Sequence, residues 1–377
     1  MNILITGIHG FVGSNLVSAL KEQYTIYGLD IVSPQKDGVV RTFGWNELEQ
    51  IPSIDLIIHL AGKAHDTKNT SSEQSYFDIN VGLTQKIFQH FLKSSATKFI
   101  FFSSVKAVAD SVTGEFLTEQ EVPSPETPYG KSKLEAERYI LTELQKWREG
   151  EEEKGRRSEG EREREGDPES LRSREETGRS RITSFSGGDE AKWRKGEGAI
   201  EKLREGEKEG KGEYIDKKVY ILRPCMIHGP GNKGNLNLLF NIQQNGLPWP
   251  LGAFENKRSF CSVDNILLVV QHLIEKDIEP GIYQVADDEA LSTNELIKLM
   301  ASSQNKKAKI WCIPANWIKA VARVGDFFHL PLNSERLKKL TESYIASNHK
   351  IKSALGIEKM PVTAQEGLRK TFESFQD

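Results

Sequence analysis

Met1-Asn2-Ile3-Leu4-Ile5-Thr6-Gly7-Ile8-His9-Gly10-Phe11-Val12-Gly13 is the stretch that decides the fold. Ile3 to Thr6 reads as a short buried strand, and Phe11 to Leu20 carries apolar residues at helical spacing. Three glycines separate the two. A strand that passes through a glycine-rich turn into a helix forms an anion site, because backbone without side chains lets a pyrophosphate approach and the helix N-terminus offers unpaired N–H groups. The next strand, Thr25 to Leu29, ends at Asp30, where a carboxylate can accept the hydroxyls of an adenosine ribose. Gly7, Gly10, Phe11, Val12, Gly13 and Asp30 are therefore expected to bind a dinucleotide. Asp30 repels a 2′-phosphate, which favours NAD over NADP.

Outward from this turn, short apolar runs at Leu56 to Leu60 and Lys98 to Phe102 alternate with helical patterns at Tyr76 to Leu92 and from Pro128 to about Trp147. That alternation predicts an α/β fold, a doubly wound parallel sheet covered by helices on both faces. Arg148 to Glu213 breaks the pattern: roughly 37 of its 66 or so residues are charged and no apolar period is sustained, so it reads as a disordered insert. The strand Val219 to Leu222 resumes after it. The expected organisation is a nucleotide-binding domain over 1–147 and 214–224, the insert over 148–213, and a smaller C-terminal α/β lobe over 225–377 with some segments returning to the first domain. In that lobe Ser292 or Thr293 is expected to cap a helix running to Ala301.

Composition excludes several classes. The 377 residues hold 51 basic and 54 acidic side chains, a net charge of -3, so no overall field draws nucleic acid or a membrane. Cys225, Cys261 and Cys312 are an odd, widely spaced set that predicts neither disulfides nor a metal site. No apolar run approaches the roughly 18 residues of a membrane span, and no leader pattern precedes the first strand, so a cytoplasmic protein is expected.

Tyr129-Gly130-Lys131-Ser132-Lys133 places a phenol and an ammonium four residues apart on one helix face. A nearby cation would lower the phenol's pKa and make Tyr129 a proton acceptor. Tyr214 and Lys218 share that spacing, but only Tyr129 follows a strand-end hydroxyl, Ser104, at the C-terminal edge where parallel sheets bind ligands. Ser104, Tyr129 and Lys133 are the expected catalytic residues.

Taken together, these motifs resemble the extended short-chain dehydrogenase/reductase family, in its NAD-dependent nucleotide-sugar epimerase/dehydratase branch, over nearly the whole chain outside the insert. The resemblance implies a Rossmann-like first domain and a substrate-binding second lobe. It implies that Leu60, Ala61 and Gly62, after the fourth strand, wall the cofactor, that Asn80 lies near the active site, and that Tyr129 and Lys133 also contact the cofactor. Leu222-Arg223-Pro224 and His228-Gly229-Pro230-Gly231 are similar to the branch's Arg-Pro and Tyr-Gly-Pro-Gly segment, with His228 replacing the common Tyr. Asn235 and Arg258 then look like the groups that hold the substrate's diphosphate. Gly246 to Gly252 is similar to a bacterial subgroup acting on UDP-sugars at C4 for surface polysaccharide synthesis.

The resemblance thus implies a UDP-hexose or UDP-N-acetylhexosamine 4-epimerase working by transient oxidation at C4, with a homodimer as the usual assembly. A 4-reductase of a UDP-4-keto-6-deoxy sugar would use the same residues. A 4,6-dehydratase is disfavoured, because that branch has an Asp-Glu pair where this chain has Val105 and Lys106. A non-catalytic dinucleotide-binding sensor is the alternative from a different class.

Overall fold

The computed structural model describes residues 1–64, 72–112, 114–166, 216–232, 234–328 and 333–376. A seven-stranded parallel sheet runs in the order β3-β2-β1-β4-β5-β6-β9. Its strands are β1 (Asn2–Thr6), β2 (Thr25–Leu29), β3 (Arg41–Phe43), β4 (Leu56–His59), β5 (Lys98–Phe102), β6 (Lys218–Pro224) and β9 (Gly281–Val285). Order reverses between β1 and β4, so the crevice beyond their C-terminal ends is the switch point where such sheets take ligands. A smaller sheet holds β7 (Met226–His228), β8 (Arg258–Ser262) and β10 (Ala290–Leu291).

Alternation along the strands builds two cores. Ile3 and Ile5 face one side with Ile58, Ile100 and Leu222, under α1 (Phe11–Leu20) and Ile266, Val269 and Leu273 of the helix Val263–Glu275. Leu4, Ile57, Phe99 and Phe101 face the other, under α2 (Glu73–Lys93) and α3 (Pro128–Gly166). The remaining helices, in chain order, are α4 (Asn235–Gln244), α5 (Val263–Glu275), α6 (Thr293–Ser303), α7 (Ala315–Phe328), α8 (Ser334–Thr341), α9 (His349–Leu355) and α10 (Ala364–Glu373). Phe240, Phe260, Leu296, Met300, Leu368 and Phe372 form a third core, which belongs to the second lobe. Ser292 caps α6 in a reciprocal box with Glu295, as its position before an apolar period suggested.

α3 departs from expectation. It starts at Pro128, where a missing N–H is harmless, but continues past the expected end near Trp147 to Gly166, so the first part of the charged stretch, through Gly166, is helical. The cause is local: Lys146 pairs with Glu143, Gln145 with Glu149 and Lys154 with Glu151, neighbours on adjacent turns that support a solvated helix without a core. The rest of the expected disordered insert, with Tyr214, lies outside the described residues. Where the chain returns, the buried Lys217 ammonium donates to the carbonyls of Phe91, Ser94 and Ala96, each at 2.9 Å. That places a cation at the C-terminus of α2.

Among the described residues no helix is long and apolar enough to cross a membrane.

Candidate active site

Gly7 has φ +67°, in the left-handed region, and a β-carbon there would lie 2.9 Å from the Ala61 nitrogen. The first turn is therefore pressed against the loop that follows β4. On its other side a β-carbon at Gly13 would sit 2.6 Å from the Gly7 carbonyl oxygen, so α1 starts as close to β1 as backbone allows. Gly10 occupies the N-cap of α1, which has no side-chain cap, leaving the helix's first N–H groups for other acceptors. Asp30 follows β2, where its carboxylate accepts from His9 N at 3.0 Å and Ile31 N at 2.7 Å. Phe11 faces the segment after β7: a β-carbon on Gly229 would come 3.4 Å from its ring. Asn15 Nδ2 in turn donates to the Pro230 carbonyl at 3.3 Å.

The loop Leu60-Ala61-Gly62 is held from beneath. Thr6 Oγ1 accepts from Leu60 N at 3.2 Å and Ala61 N at 3.0 Å, and it meets His59 Nδ1 at 2.6 Å. His59 Nε2 reaches Thr84 Oγ1 at 2.9 Å. Burial, aided by the Lys133 charge, pushes the His59 imidazole well below its ordinary pKa, so it acts as a neutral hydrogen-bonding brace. Asn80 is fully enclosed: its Oδ1 accepts from Lys63 N at 2.7 Å, and its Nδ2 donates to Lys63 O at 3.1 Å and Ser132 Oγ at 2.8 Å. Asn80 therefore clamps this loop to α3. A β-carbon on Gly62 would fall 3.2 Å from Lys133 Nζ, which places the loop directly on that ammonium.

Ser104, Tyr129 and Lys133 come together at the C-terminal end of β5. Ser104 Oγ accepts from Lys106 N at 3.2 Å, which leaves the hydroxyl proton available on the side of Tyr129. The Tyr129 ring meets Tyr76 edge-on, with centroids 6.4 Å apart. Burial pushes the Tyr129 phenol up from its ordinary pKa, and the nearby Ser104 hydroxyl pulls it back. Lys133 follows Tyr129 one helical turn on in α3. Its ammonium donates to Phe102 O at 2.9 Å, and burial brings it down to about 8, opposed by Glu137. The turn carrying Ser104 is fitted to α3 through Gly130, where a β-carbon would lie 2.3 Å from Lys106 O.

Four groups that the sequence reading did not assign complete the setting. Glu137, two helical turns beyond Tyr129, accepts from Arg223 Nη2 at 2.6 Å, from Arg223 Nε at 3.0 Å and from the Ser103 hydroxyl. Glu137 and Arg223 are fully buried. A carboxylate at i, i+4, i+8 from Tyr129 and Lys133 on a core-facing helix, with an arginine inside a buried strand, was the available signal. Tyr344 donates to the carbonyls of Val105 at 3.1 Å and Ala109 at 2.8 Å, joining the Ser104 turn to the second lobe. The Lys106 ammonium lies 4.0 Å from the Tyr344 ring centroid and donates to Asp110 O at 2.9 Å.

Arg258 begins β8, half-buried. Burial pushes Lys106 below its ordinary pKa, Asp110 opposes this, and the nearby Arg258 charge adds to it. Asn235 is the first residue of α4, and its side chain lies outside the described residues. His228 does not face this crevice. It is fully buried between Asp287 at 3.2 Å and Thr371 at 3.0 Å, in the packing of the second lobe.

Residues 3–147 match the model of the NAD dependent epimerase/dehydratase family. Among curated relatives, a UDP-glucose 4-epimerase of Vibrio cholerae is 25% identical, with 99% of this chain and 95% of that protein covered. An N-acetyl-alpha-D-glucosaminyl-diphospho-ditrans,octacis-undecaprenol 4-epimerase of Escherichia coli O157:H7 is 23% identical over 83% of this chain and 75% of its own. Among solved structures, MoeE5 in complex with UDP-glucuronic acid and NAD superposes with a TM-score of 0.65 at 17% identity, covering 100% of this chain and 99% of that one. The UDP-glucose 4-epimerase of Thermotoga maritima with UDP-glucose gives 0.63 at 18% identity, with 100% and 99% covered. At such identities the solved structures speak for the fold.

Proposed function

From the match of residues 3–147 to the NAD dependent epimerase/dehydratase family model, we propose that the chain is a nucleotide-sugar 4-epimerase of that family that uses NAD. The observation that carries the reading is the convergence of Ser104 and Tyr129 at the C-terminal end of β5, with the Lys133 ammonium one turn on, donating to Phe102 O at 2.9 Å and set against Gly62. The residues fit a dinucleotide: the glycine turn is pressed to bare backbone and the α1 N-terminus has no side-chain cap. Gly7, Gly10, Phe11, Val12, Gly13 and Asp30 would hold its pyrophosphate and adenosine. Leu60, Ala61 and Gly62, clamped by Asn80, would wall its nicotinamide end, with Lys133 on the ribose. Bound there, NAD supplies a hydride acceptor and, once reduced, the hydride donor.

Tyr129 takes the proton of the sugar's C4 hydroxyl as that carbon is oxidised, and gives it back when the ketone is reduced on its other face. Ser104 orients the oxygen and shares the proton with Tyr129. Glu137 favours the charged form of Lys133, so a cation remains beside the reacting oxygen. Arg258, with Asn235, holds the nucleotide diphosphate. UDP-hexoses and UDP-N-acetylhexosamines are the substrate class, in keeping with the names of the curated relatives. Homodimer formation and a setting in surface polysaccharide synthesis rest on the family resemblance. The test is to incubate the protein with UDP-glucose, UDP-galactose, UDP-GlcNAc and UDP-GalNAc, with and without NAD, and follow C4 configuration by NMR. Interconversion of a pair supports the 4-epimerase. No interconversion by NAD-loaded protein overturns it in favour of the 4-keto sugar reductase.

A further inference from the structure

The second lobe carries an apolar face that its own core does not use. On α7, Ile318 and Ala322 point inward and pack with Leu251 and Leu337. Trp317, Val321 and Val324, at i, i+4 and i+7, form a separate stripe that stays 70%, 54% and 53% exposed. Trp311, 57% exposed, lies on the segment leading into α7, which pairs with the chain at Trp249 and Leu251. An isolated exposed apolar residue means little, but a tryptophan and two valines on one helix face form a stripe, and a second exposed tryptophan lies on the segment that leads into it.

The charge along this stretch is mostly basic, with Asp326, near the end of α7, turned to the backbone and hydroxyl of Ser334. From Lys306 to Gly325 there are five basic residues, Lys306, Lys307, Lys309, Lys319 and Arg323, and no acidic one, in a chain of net charge -3. Lys306 rests on the Gln244 carbonyl and the Gln304 amide oxygen, each at 3.2 Å, and Lys309 on the Gly246 carbonyl at 3.4 Å, so their charges meet neutral acceptors. Lys306, Lys307 and Lys309 rim a cavity of about 470 Å³ beside Leu247 and Trp249. The Trp249 indole N–H is buried without a partner.

From these observations we infer that the second lobe docks on an anionic lipid surface, with Trp311, Trp317, Val321 and Val324 entering the interface and the lysines meeting lipid phosphates. Tryptophan beside lysine suits a bilayer interface, where the indole sits at headgroup level and the ammonium stays wet. Pairing of two copies through this face is disfavoured by the same residues, since a two-fold contact would set five cations against five. The docking is peripheral. It departs from the expectation of no membrane partner, which rested on net charge and the lack of a spanning segment.

The test uses the full chain in sedimentation with vesicles of phosphatidylcholine alone, or of phosphatidylcholine with phosphatidylglycerol, at low and high salt. Binding to the anionic vesicles only, weakened by salt, is expected. Lys306→Glu/Lys307→Glu/Lys309→Glu should weaken it by roughly a hundredfold. Trp317→Ser/Val321→Ser/Val324→Ser should abolish it, and both variants should keep the turnover of a soluble nucleotide-sugar. Failure of the wild type to sediment with anionic vesicles overturns the inference, as does equal sedimentation of the apolar variant. Light scattering supplies the remaining check: a wild-type dimer that the apolar variant splits into monomers would make this face a contact between copies and overturn lipid docking.

Discussion

Glu137 and Arg223 meet in a two-pronged ion pair that joins α3 to β6 with neither side chain exposed. α3 also carries Tyr129 and Lys133, so the pair fixes the helix of the candidate site to the strand next to β5. Breaking a buried pair strands a charge. Glu137→Ala or Arg223→Met should each destabilise the fold by about 3–5 kcal/mol, and replacing both with apolar residues should recover much of that. Urea denaturation of the four proteins measures it; single losses below about 1 kcal/mol would show that the pair is not a clamp.

Lys133 gives a pH dependence with a definite sign. Burial lowers its pKa to about 8 and Glu137 holds it up. If the ammonium is the working form, kcat/KM falls as pH rises through about 8. Glu137→Gln removes the supporting charge while keeping the shape, so this limb should move to lower pH. Superimposable profiles for the two proteins would detach Lys133 from it.

Tyr129→Phe removes the proton acceptor and should lower kcat by about 10²–10⁴-fold with dinucleotide affinity unchanged. Ser104→Ala leaves the phenol in place without the neighbouring hydroxyl and should cost about 10²-fold. Steady-state kinetics beside fluorescence titration with NADH separates these effects from a loss of binding.

Gly130→Ala tests the fit between the Ser104 turn and α3. The added carbon would stand 2.3 Å from Lys106 O and 2.9 Å from Pro125 Cβ, and neither contact can be relieved by a flexible side-chain end. About 1–3 kcal/mol of stability should go, with a fall in kcat as the turn shifts. A thermal melt and an activity assay check both; a neutral alanine would mean the turn has room.

The parallel sheet was legible because its strands are short apolar runs followed by glycine or by a strand-end polar residue, as at Thr6-Gly7 and Phe102-Ser103-Ser104. The gathering of Ser104, Tyr129 and Lys133 was legible for a similar reason, since strand end and helix start must face one crevice. β3, only Arg41–Phe43, is too short for a period. The run of α3 to Gly166 was hidden because charge pairs, rather than an apolar face, support it. The Glu137–Arg223 pair joins residues 86 apart, and Tyr344 reaches Val105 across 239; no local pattern encodes such meetings. Lys133 bonding Phe102 O was likewise a matter of tertiary geometry.

The most direct measurement is the fate of the C4 hydrogen. UDP-glucose and UDP-GlcNAc deuterated at C4 are incubated with the NAD-loaded protein in ordinary water, and the sugar products are read by NMR and mass spectrometry. Transient oxidation at C4 with return of the same hydride predicts a C4 epimer that keeps its deuterium. No epimer from either sugar, or an epimer carrying solvent hydrogen at C4, would contradict it.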